Sequence, residues 1–135
     1  MRAEEIGRTQ LRAGHIALVG NVLVQIPARE PKTYNSYRMF LVIEESDGAY
    51  SIVLSSFHET TIVLDSGDDA QNPSEELDEE NGTDIETFFD SFPLFSGEPD
   101  VVITRHQYYE DWNYSVYRWS GEKYQLIYTG CGGGT

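Results

Sequence analysis

Apolar residues recur along this chain in short runs and at alternate positions, a pattern typical of β-strands. The clearest case is "YRMFLVIEESDGAYSIVLSS", where two apolar runs, 37–44 and 49–55, flank the turn sequence Ser-Asp-Gly. Asp-Gly between two such runs favours a tight hairpin turn. We therefore predict an antiparallel pair of strands over this segment.

The C-terminal third repeats the alternation three times, in "DVVITRH", "NYSVYRW" and "KYQLIYT". The residues Ser-Gly-Glu at 120–122 predict a tight turn between the last two. In the middle segment, a period of two places Ser115, Tyr117 and Trp119 on one face. This third of the chain therefore predicts a meander, with Tyr117 and Trp119 in the core or on the face of the sheet.

Elsewhere the elements are less sharply bounded. The segment "HIALVGNVLVQIP" (15–27) predicts one bent strand or two short ones, because Gly20 interrupts an apolar, β-branched run. Another short strand is predicted from Thr60 to Leu64. The residues Thr-x-x-Glu at 83–86 have the form of a helix capping box, so a short helix over "DIETFFDS" is predicted to follow.

Taken together, the elements predict a mainly β protein whose residues 1–135 form a single domain, as the chain length allows. We expect about six to eight short strands in an antiparallel sheet or meander, with one or two short helices. Residues 66–82 contain a single apolar side chain larger than Ala and predict a mobile acidic loop. Residues 130–135 predict a loose, Gly-rich tail.

The charge of the chain is unevenly distributed. The formal net charge is −14, and between Met39 and Thr104 there is no Lys or Arg but there are seventeen Asp or Glu residues. Such a field repels nucleic acid and anionic membranes and attracts a cationic surface or a divalent metal. We therefore expect a partner protein with a basic surface, and neither nucleic acid nor membrane as a partner.

The sequence carries no visible targeting segment. Its first ten residues, "MRAEEIGRTQ", lack the apolar stretch of a signal peptide, and no apolar run approaches the roughly 20 residues of a membrane span. These features favour a cytoplasmic location, or a periplasmic one if a leader has been removed.

Residue types that carry catalysis do not converge in the sequence. The only Cys, Cys131, lies in a Gly-rich stretch, and the three His residues lack the HxxxH or HxH spacing of a zinc site. Ser55, Ser56 and His58 are close neighbours, but the GxSxG elbow of a serine hydrolase is absent. We therefore expect a protein that is not an enzyme and has no cofactor.

One acidic segment leaves a metal-binding alternative open. In "DEENGTDIE", Asp78, Glu80, Asp84 and Glu86 occur at alternate positions around Gly82. Calcium takes about six to eight oxygen ligands from loops of this kind, although the EF-hand spacing is not met. A solvated acidic loop is the favoured interpretation, and a calcium site is the alternative.

The segment "HQYYEDWNYSVYRW" (106–119) holds six aromatic rings in fourteen positions. Residues 107–112 fall between two predicted strands, where the chain must turn. Rigid aromatic side chains at an exposed hairpin tip resemble binding anchors, and acidic neighbours suit a cationic partner. The predicted partner-binding residues are Tyr108, Tyr109, Glu110, Asp111 and Trp112, followed by Asp78, Glu79, Glu80 and Asp84.

Two segments carry a family resemblance: "GTDIETFFDSFPLFSGEPDVVITRH" and "YSVYRWSGEKYQLIYTG". They resemble the FG-GAP or VCBS-type repeat of bacterial extracytoplasmic proteins, over about fifty residues. The resemblance implies a β-rich module, but the D-x-D-x-D-G calcium loop of that family is absent here. The overall profile, small, acidic and β-rich, is similar to immunity proteins that neutralise bacterial toxins.

These observations predict a non-catalytic acidic binding protein that acts as an inhibitor or toxin-immunity factor by occluding its partner. The acidic middle of the chain would steer a basic surface, and the aromatic tip would supply the desolvated contact. The alternative is an extracytoplasmic, FG-GAP-like module that binds calcium or a glycan.

Overall fold

The computed structural model describes residues 2–63, 85–107 and 111–134, and these residues form eight β-strands. No helix occurs in this described part, so the prediction of one or two short helices is not supported there. The strands are β1 Arg2–Arg12, β2 His15–Pro27, β3 Thr33–Ser46, β4 Ala49–Val63, β5 Ile85–Phe92, β6 Val101–Gln107, β7 Asp111–Trp119 and β8 Tyr124–Gly134.

The strands form two four-stranded sheets, each a simple meander. The first sheet has the order β1-β2-β3-β4 and the second β5-β6-β7-β8, and all neighbouring strands are antiparallel. The prediction of a mainly β, antiparallel protein is therefore confirmed. The strands of the first sheet are longer than predicted, from 11 residues in β1 to 15 in β4.

The turn between β3 and β4 lies where the Ser-Asp-Gly sequence places it. Asp47 and Gly48 have φ angles of 51° and 77°, and Ser46 pairs with Ala49 across the turn. Two consecutive positive φ angles are the requirement of the tight hairpin turn that Asp-Gly favours. The local sequence therefore sets the register between these two strands.

The segment predicted as a helix, "DIETFFDS", forms most of β5. The apolar positions Ile85, Phe88, Phe89 and Phe92 have helical spacing, but the register between β5 and β6 shifts between Phe88 and Asp90. A bulge of this kind adds one residue to the strand and breaks its period of two. The bulge therefore explains why a strand carries apolar residues at the spacing of a helix.

Two further segments differ from their predicted form. The stretch around Gly20 is one continuous strand, because β2 pairs with β3 from Ile16 to Pro27 without a register shift. The Gly-rich segment continues β8 as far as Gly134, which pairs with Asp111 of β7. The acidic segment 66–82 lies outside the described residues.

The two sheets pack through their inner faces. The buried cluster contains residues of both sheets, and Phe88 and Trp119 pack against it while partly exposed. The alternation predicted for β7 is confirmed, since Ser115 and Tyr117 are buried on the inner face. The cluster consists of Leu11, Ala17, Val19, Phe40, Val42, Val53 and Leu54 from the first sheet and Val102, Tyr117 and Tyr124 from the second.

An ion pair lies in the interface between the two sheets, next to the β1–β2 turn. The guanidinium of Arg12 contacts both carboxylate oxygens of the buried Glu44, at 2.8 and 3.1 Å. The same guanidinium lies 4.2 Å from the ring centroid of Trp119 in the second sheet. Arg12 therefore links the sheets through a charged contact and an aromatic one.

Within the described residues there is no helix with the length and hydropathy needed to cross a bilayer.

Candidate functional site

The most unusual feature of the interface between the sheets is a buried carboxylate flanked by two imidazoles. Glu86 of β5 is fully buried, and its two carboxylate oxygens contact His58 of β4 and His106 of β6. Glu86 and His106 are cross-strand partners in the second sheet, whereas His58 belongs to the first sheet. The cluster therefore exists only because the two sheets pack together.

Every oxygen of the Glu86 carboxylate has partners. Oε1 lies 3.0 Å from Nε2 of His58, and Oε2 lies 3.2 Å from Nε2 of His106. The hydroxyls of Thr104 and Tyr117 donate to Oε2 at 2.6 and 2.7 Å. This density of donors is what a buried carboxylate needs in order to remain charged.

The pKa of Glu86 reflects two opposing effects. Burial by itself raises it, but hydrogen bonds from His106, His58, Ser56 and Thr104 together lower it well below its usual value of 4.5. The carboxylate is therefore ionised at neutral pH. Because an ionised carboxylate only accepts hydrogen bonds, both imidazoles present Nε2–H to it.

Tyr117 is also part of this network. Burial raises the pKa of its hydroxyl above the usual value of 10.0, and the hydrogen bond to the Glu86 carboxylate raises it further. Its hydroxyl is therefore protonated across the physiological range. It serves as a fixed donor that orients the Glu86 carboxylate from the β7 side.

The chemistry available to this cluster is that of metal ligation or of a charged hydrogen-bond network. His58, Glu86 and His106 offer two imidazole nitrogens and one carboxylate oxygen, all within 4.8 Å of one another. The rings of His58 and His106 meet edge to face, with centroids 5.2 Å apart. Ser56 is close, with Oγ 3.1 Å from Nε2 of His58.

A second candidate site is the outer face of the first sheet, which is apolar across several strands. In antiparallel pairs, directly opposed residues point to the same side of the sheet. The register aligns Leu18, Ile43 and Ile52 in one row across β2, β3 and β4. A parallel row contains Val22, Met39 and Phe57, and Leu41 lies between the rows.

Several of these side chains are open to solvent. Ile52 and Phe57 are 59% and 57% exposed, and Ile6 from β1 is 68% exposed. We call this surface, which comprises Ile6, Leu18, Val22, Met39, Leu41, Ile43, Ile52 and Phe57, the outer apolar face. Contiguous apolar surface of this kind marks interaction sites in many proteins.

Acidic residues lie at both ends of the outer apolar face. Glu45 pairs with Tyr50 beyond one apolar row, and Glu59 pairs with Tyr37 beyond the other. The ring of Tyr37 stacks on that of Phe57, with centroids 5.9 Å apart. The face is thus an apolar patch with a carboxylate at either end.

Only part of the predicted aromatic tip lies in the described residues. Gln107, the last residue of β6, pairs with Trp112 of β7, so these strands form the predicted hairpin. Asp111 is exposed at the start of β7. Trp112 is half-buried, because Gly133 of β8 lies against its ring and Arg105 lies 5.6 Å from the ring centroid.

The other predicted partner-binding residues cannot be placed with these two. Tyr108, Tyr109 and Glu110 lie outside the described residues, as do Asp78, Glu79, Glu80 and Asp84. Of the acidic series proposed as a calcium alternative, Glu86 is described, and its carboxylate lies inside the interface between the sheets. The binding role of the tip remains a prediction.

Sequence reasoning did not anticipate the cluster of His58, Glu86 and His106. His58 and Glu86 are 28 residues apart in the chain and belong to different sheets. A local signal does exist, because each of the three interrupts an alternating strand pattern with a polar residue at an inward position. That signal indicates a buried polar side chain but does not show which other side chains it contacts in the folded protein.

In comparisons with known proteins, no family model, no curated protein and no solved structure matches the chain.

Proposed function

We propose that this chain is a non-catalytic binding protein that occludes a partner protein with a basic surface, in the manner of an inhibitor or immunity factor. The observation that carries the proposal is the outer apolar face. An extended, solvent-exposed apolar surface is unfavourable in an isolated monomer, and a bound protein would remove it from water.

The shape of the face suits a protein better than a small ligand. Its apolar residues extend from β1 to β4, beyond the open apolar depression lined by Ile6, Leu18 and Leu41. Small-molecule sites enclose most of their ligand, whereas Ile52 and Phe57 lie outside this depression and are exposed. Large side chains such as Phe57 and Ile52 provide the kind of desolvated contact that dominates interface energies.

Charge gives the proposed partner its chemistry. The chain has a net charge of −14, and the outer apolar face has Glu45 and Glu59 at its two ends. A partner with an apolar centre and a basic rim would complement both features. The acidic segment 66–82 would add long-range steering toward such a partner. The tip residues 108–112 belong to the second sheet and remain a separate predicted contact.

Site-specific photo-crosslinking in the native cell tests this proposal. A photoreactive residue at position 57 is expected to form a covalent adduct with one basic protein. The matched control is position 126, because Leu126 is 56% exposed and Phe57 is 57% exposed but Leu126 lies on β8 of the second sheet. Adducts of equal yield from both positions would contradict a specific docking face.

The captured protein then allows a direct test with purified components. We expect binding to inhibit its activity, and we expect Ile52→Lys to weaken binding by at least about tenfold. The association rate should fall as the salt concentration rises, because acidic steering is screened. A rate that does not change with salt would refute the steering part of the proposal.

The FG-GAP-like alternative makes a different prediction for the same protein. If the chain is a calcium-binding module, its melting temperature should rise with millimolar calcium, since a ligand that binds the folded state stabilises it. A flat calcium titration together with a specific adduct at position 57 would favour the inhibitor proposal over this alternative.

A further inference from the structure

We propose that His58, Glu86 and His106 form a binding site for a divalent transition-metal ion, with Zn²⁺ as the best fit, and that the ion joins the two sheets. This inference is independent of the proposed binding function. It rests on the interior of the interface, whereas the docking proposal rests on the opposite face of the first sheet.

The separation of the ligand atoms is close to what a metal requires. Zinc lies about 2.0–2.1 Å from nitrogen and oxygen ligands, so neighbouring ligands of a tetrahedral ion are roughly 3.4 Å apart. Oε1 of Glu86 is 3.0 Å from Nε2 of His58, and Oε2 is 3.2 Å from Nε2 of His106. All three ligand atoms lie within 4.8 Å of one another. Small rotations of the imidazole side chains that move the Nε2 atoms by roughly an ångström would bring the three atoms to the separation of a tetrahedral site.

The types of ligand select the class of metal. Two imidazole nitrogens and one carboxylate oxygen suit zinc and its first-row neighbours, and the same set of residue types recurs in catalytic zinc sites. Calcium and magnesium prefer sites made wholly of oxygen ligands, so they should bind this cluster poorly. The cluster is therefore distinct from the acidic segment that sequence analysis considered for calcium.

The surrounding residues position the ligands. The hydroxyls of Thr104 and Tyr117 donate to Oε2 of Glu86 and fix the plane of its carboxylate. Outer hydrogen bonds of this kind orient metal ligands and tune their affinity. Ser56 Oγ, 3.1 Å from Nε2 of His58, is placed to hydrogen-bond a water molecule in the fourth coordination position.

The local charge balance also agrees with a cation. The ionised Glu86 supplies the negative charge that a dication in this position requires. When the metal binds, each imidazole would offer the lone pair of Nε2 to it and carry its single proton on Nδ1, so the metal replaces the two Nε2–H contacts to this carboxylate.

The ion would act as a clamp between elements that the chain brings together only on folding. His58 is on β4 of the first sheet, and Glu86 and His106 are on β5 and β6 of the second. Because the complete site does not exist in the unfolded chain, metal binding should stabilise the fold. With zinc at one hundred times its dissociation constant, we expect a rise in melting temperature on the order of 10 °C.

The experiment uses the full chain, without an affinity tag and stripped of metal with a chelator. Calorimetric titration with Zn²⁺ should show one equivalent bound, Co²⁺ should give the visible absorption of a site of low coordination number, and Ca²⁺ should not compete. The variants His58→Ala and His106→Ala should each lose at least about 100-fold in affinity. His15→Ala is the matched control, because His15 lies at the start of β2, next to Arg12 and outside the cluster, and should bind as the wild type does.

A readout on the unmodified protein covers the case in which a variant fails to fold. The imidazole C–H resonances of His58 and His106 should shift together on addition of Zn²⁺, while those of His15 stay in place. Absence of binding, or binding that shifts His15 and leaves the other two histidines unchanged, would overturn the proposal. The cluster would then be a metal-free hydrogen-bond network.

Discussion

The carboxylate of Glu86 in β5 lies 3.0 Å from Nε2 of His58 in β4, and this contact connects the two sheets in the interior of the protein. The Glu86 side chain is fully buried, and that of His58 is 14% exposed. A polar contact in this position contributes to stability only while all its members remain satisfied. The loss of one member should therefore affect the whole interface.

Replacement of the charged carboxylate tests this dependence. Glu86→Gln should reduce the free energy of unfolding by about 3 kcal/mol, because an amide offers one acceptor oxygen to several donors and places its own N–H groups against some of them. Urea denaturation in the presence of a chelator measures the effect without any contribution from metal.

The control for this substitution is Glu122→Gln. Glu122 is exposed in the turn between β7 and β8, so its replacement should change the free energy of unfolding by less than about 0.5 kcal/mol. Equal effects of the two substitutions would show that the Glu86 network has no special role in stability.

Two arginine–glutamate pairs of similar geometry differ in burial and should differ in energy. Arg12 pairs with Glu44, whose side chain is 1% exposed, whereas Arg118 pairs with Glu98, whose side chain is 31% exposed. Arg12→Ala should destabilise the protein by about 3 kcal/mol, because it leaves a buried carboxylate without its partner.

The matched variant Arg118→Ala should have a much smaller effect, because water can solvate Glu98 once its partner is removed. Thermal denaturation at low and high salt separates the two pairs. The effect of Arg118→Ala should diminish with salt, and that of Arg12→Ala should persist. A reversed order of the two effects would contradict this assignment of buried and exposed pairs.

The hydroxyl of Tyr124 should make the folded protein less stable as the pH becomes alkaline. Burial raises the pKa of its hydroxyl above the usual value of 10.0, and the charge of Glu44 raises it further. A raised pKa means that the unfolded chain loses this proton first, so the contribution of Tyr124 is complete below pH 10 and declines as the pH rises beyond it.

Tyr124→Phe reveals that contribution. At neutral pH the variant should be less stable by about 1 kcal/mol, since it loses the hydrogen bond from the hydroxyl to the carbonyl of Asp100 at 3.0 Å. Above pH 10 the difference between the two proteins should shrink, because Phe has no proton to lose. Urea denaturation from pH 7 to pH 11 measures this, and a constant difference would contradict it.

Gly132 should be intolerant of any side chain. A Cβ atom there would overlap the backbone carbonyl of Trp112 in the neighbouring strand. Gly132→Ala should therefore destabilise the protein by about 2 kcal/mol or release the end of β8 from β7. Tryptophan fluorescence during urea unfolding would report either outcome, because the ring of Trp112 packs against Gly133.

The comparison for this substitution is Gly7→Ala in β1. A Cβ atom at Gly7 would lie 3.3 Å from a methyl group of Val19, which can move aside. Its effect should stay below about 1 kcal/mol. A larger loss of stability for Gly7→Ala than for Gly132→Ala would contradict the close contact between β8 and the backbone of Trp112.

Prediction of the strands from the sequence worked where the signal was local. The Asp47–Gly48 turn and the inward positions of Ser115 and Tyr117 follow from positive φ angles and from a period of two, each set within a few residues. The helix predicted from the Thr-x-x-Glu pattern at 83–86 is not supported, because residues 85–92 pair with β6 as a bulged strand and the Glu86 side chain enters the interface between the sheets.

The sequence by itself determined that the chain is acidic, rich in β-strands and organised as meanders, because turns and alternating faces are encoded by neighbouring residues. The tertiary structure alone decided that His58 meets Glu86 and His106, because packing of the two sheets brings together residues that are distant in the chain. It also decided that the outer apolar face is exposed. The apolar residues of β2 and β3 have the same sequence pattern whether one face of their sheet is covered or both are. The position of the second sheet decides which face is covered and which is exposed.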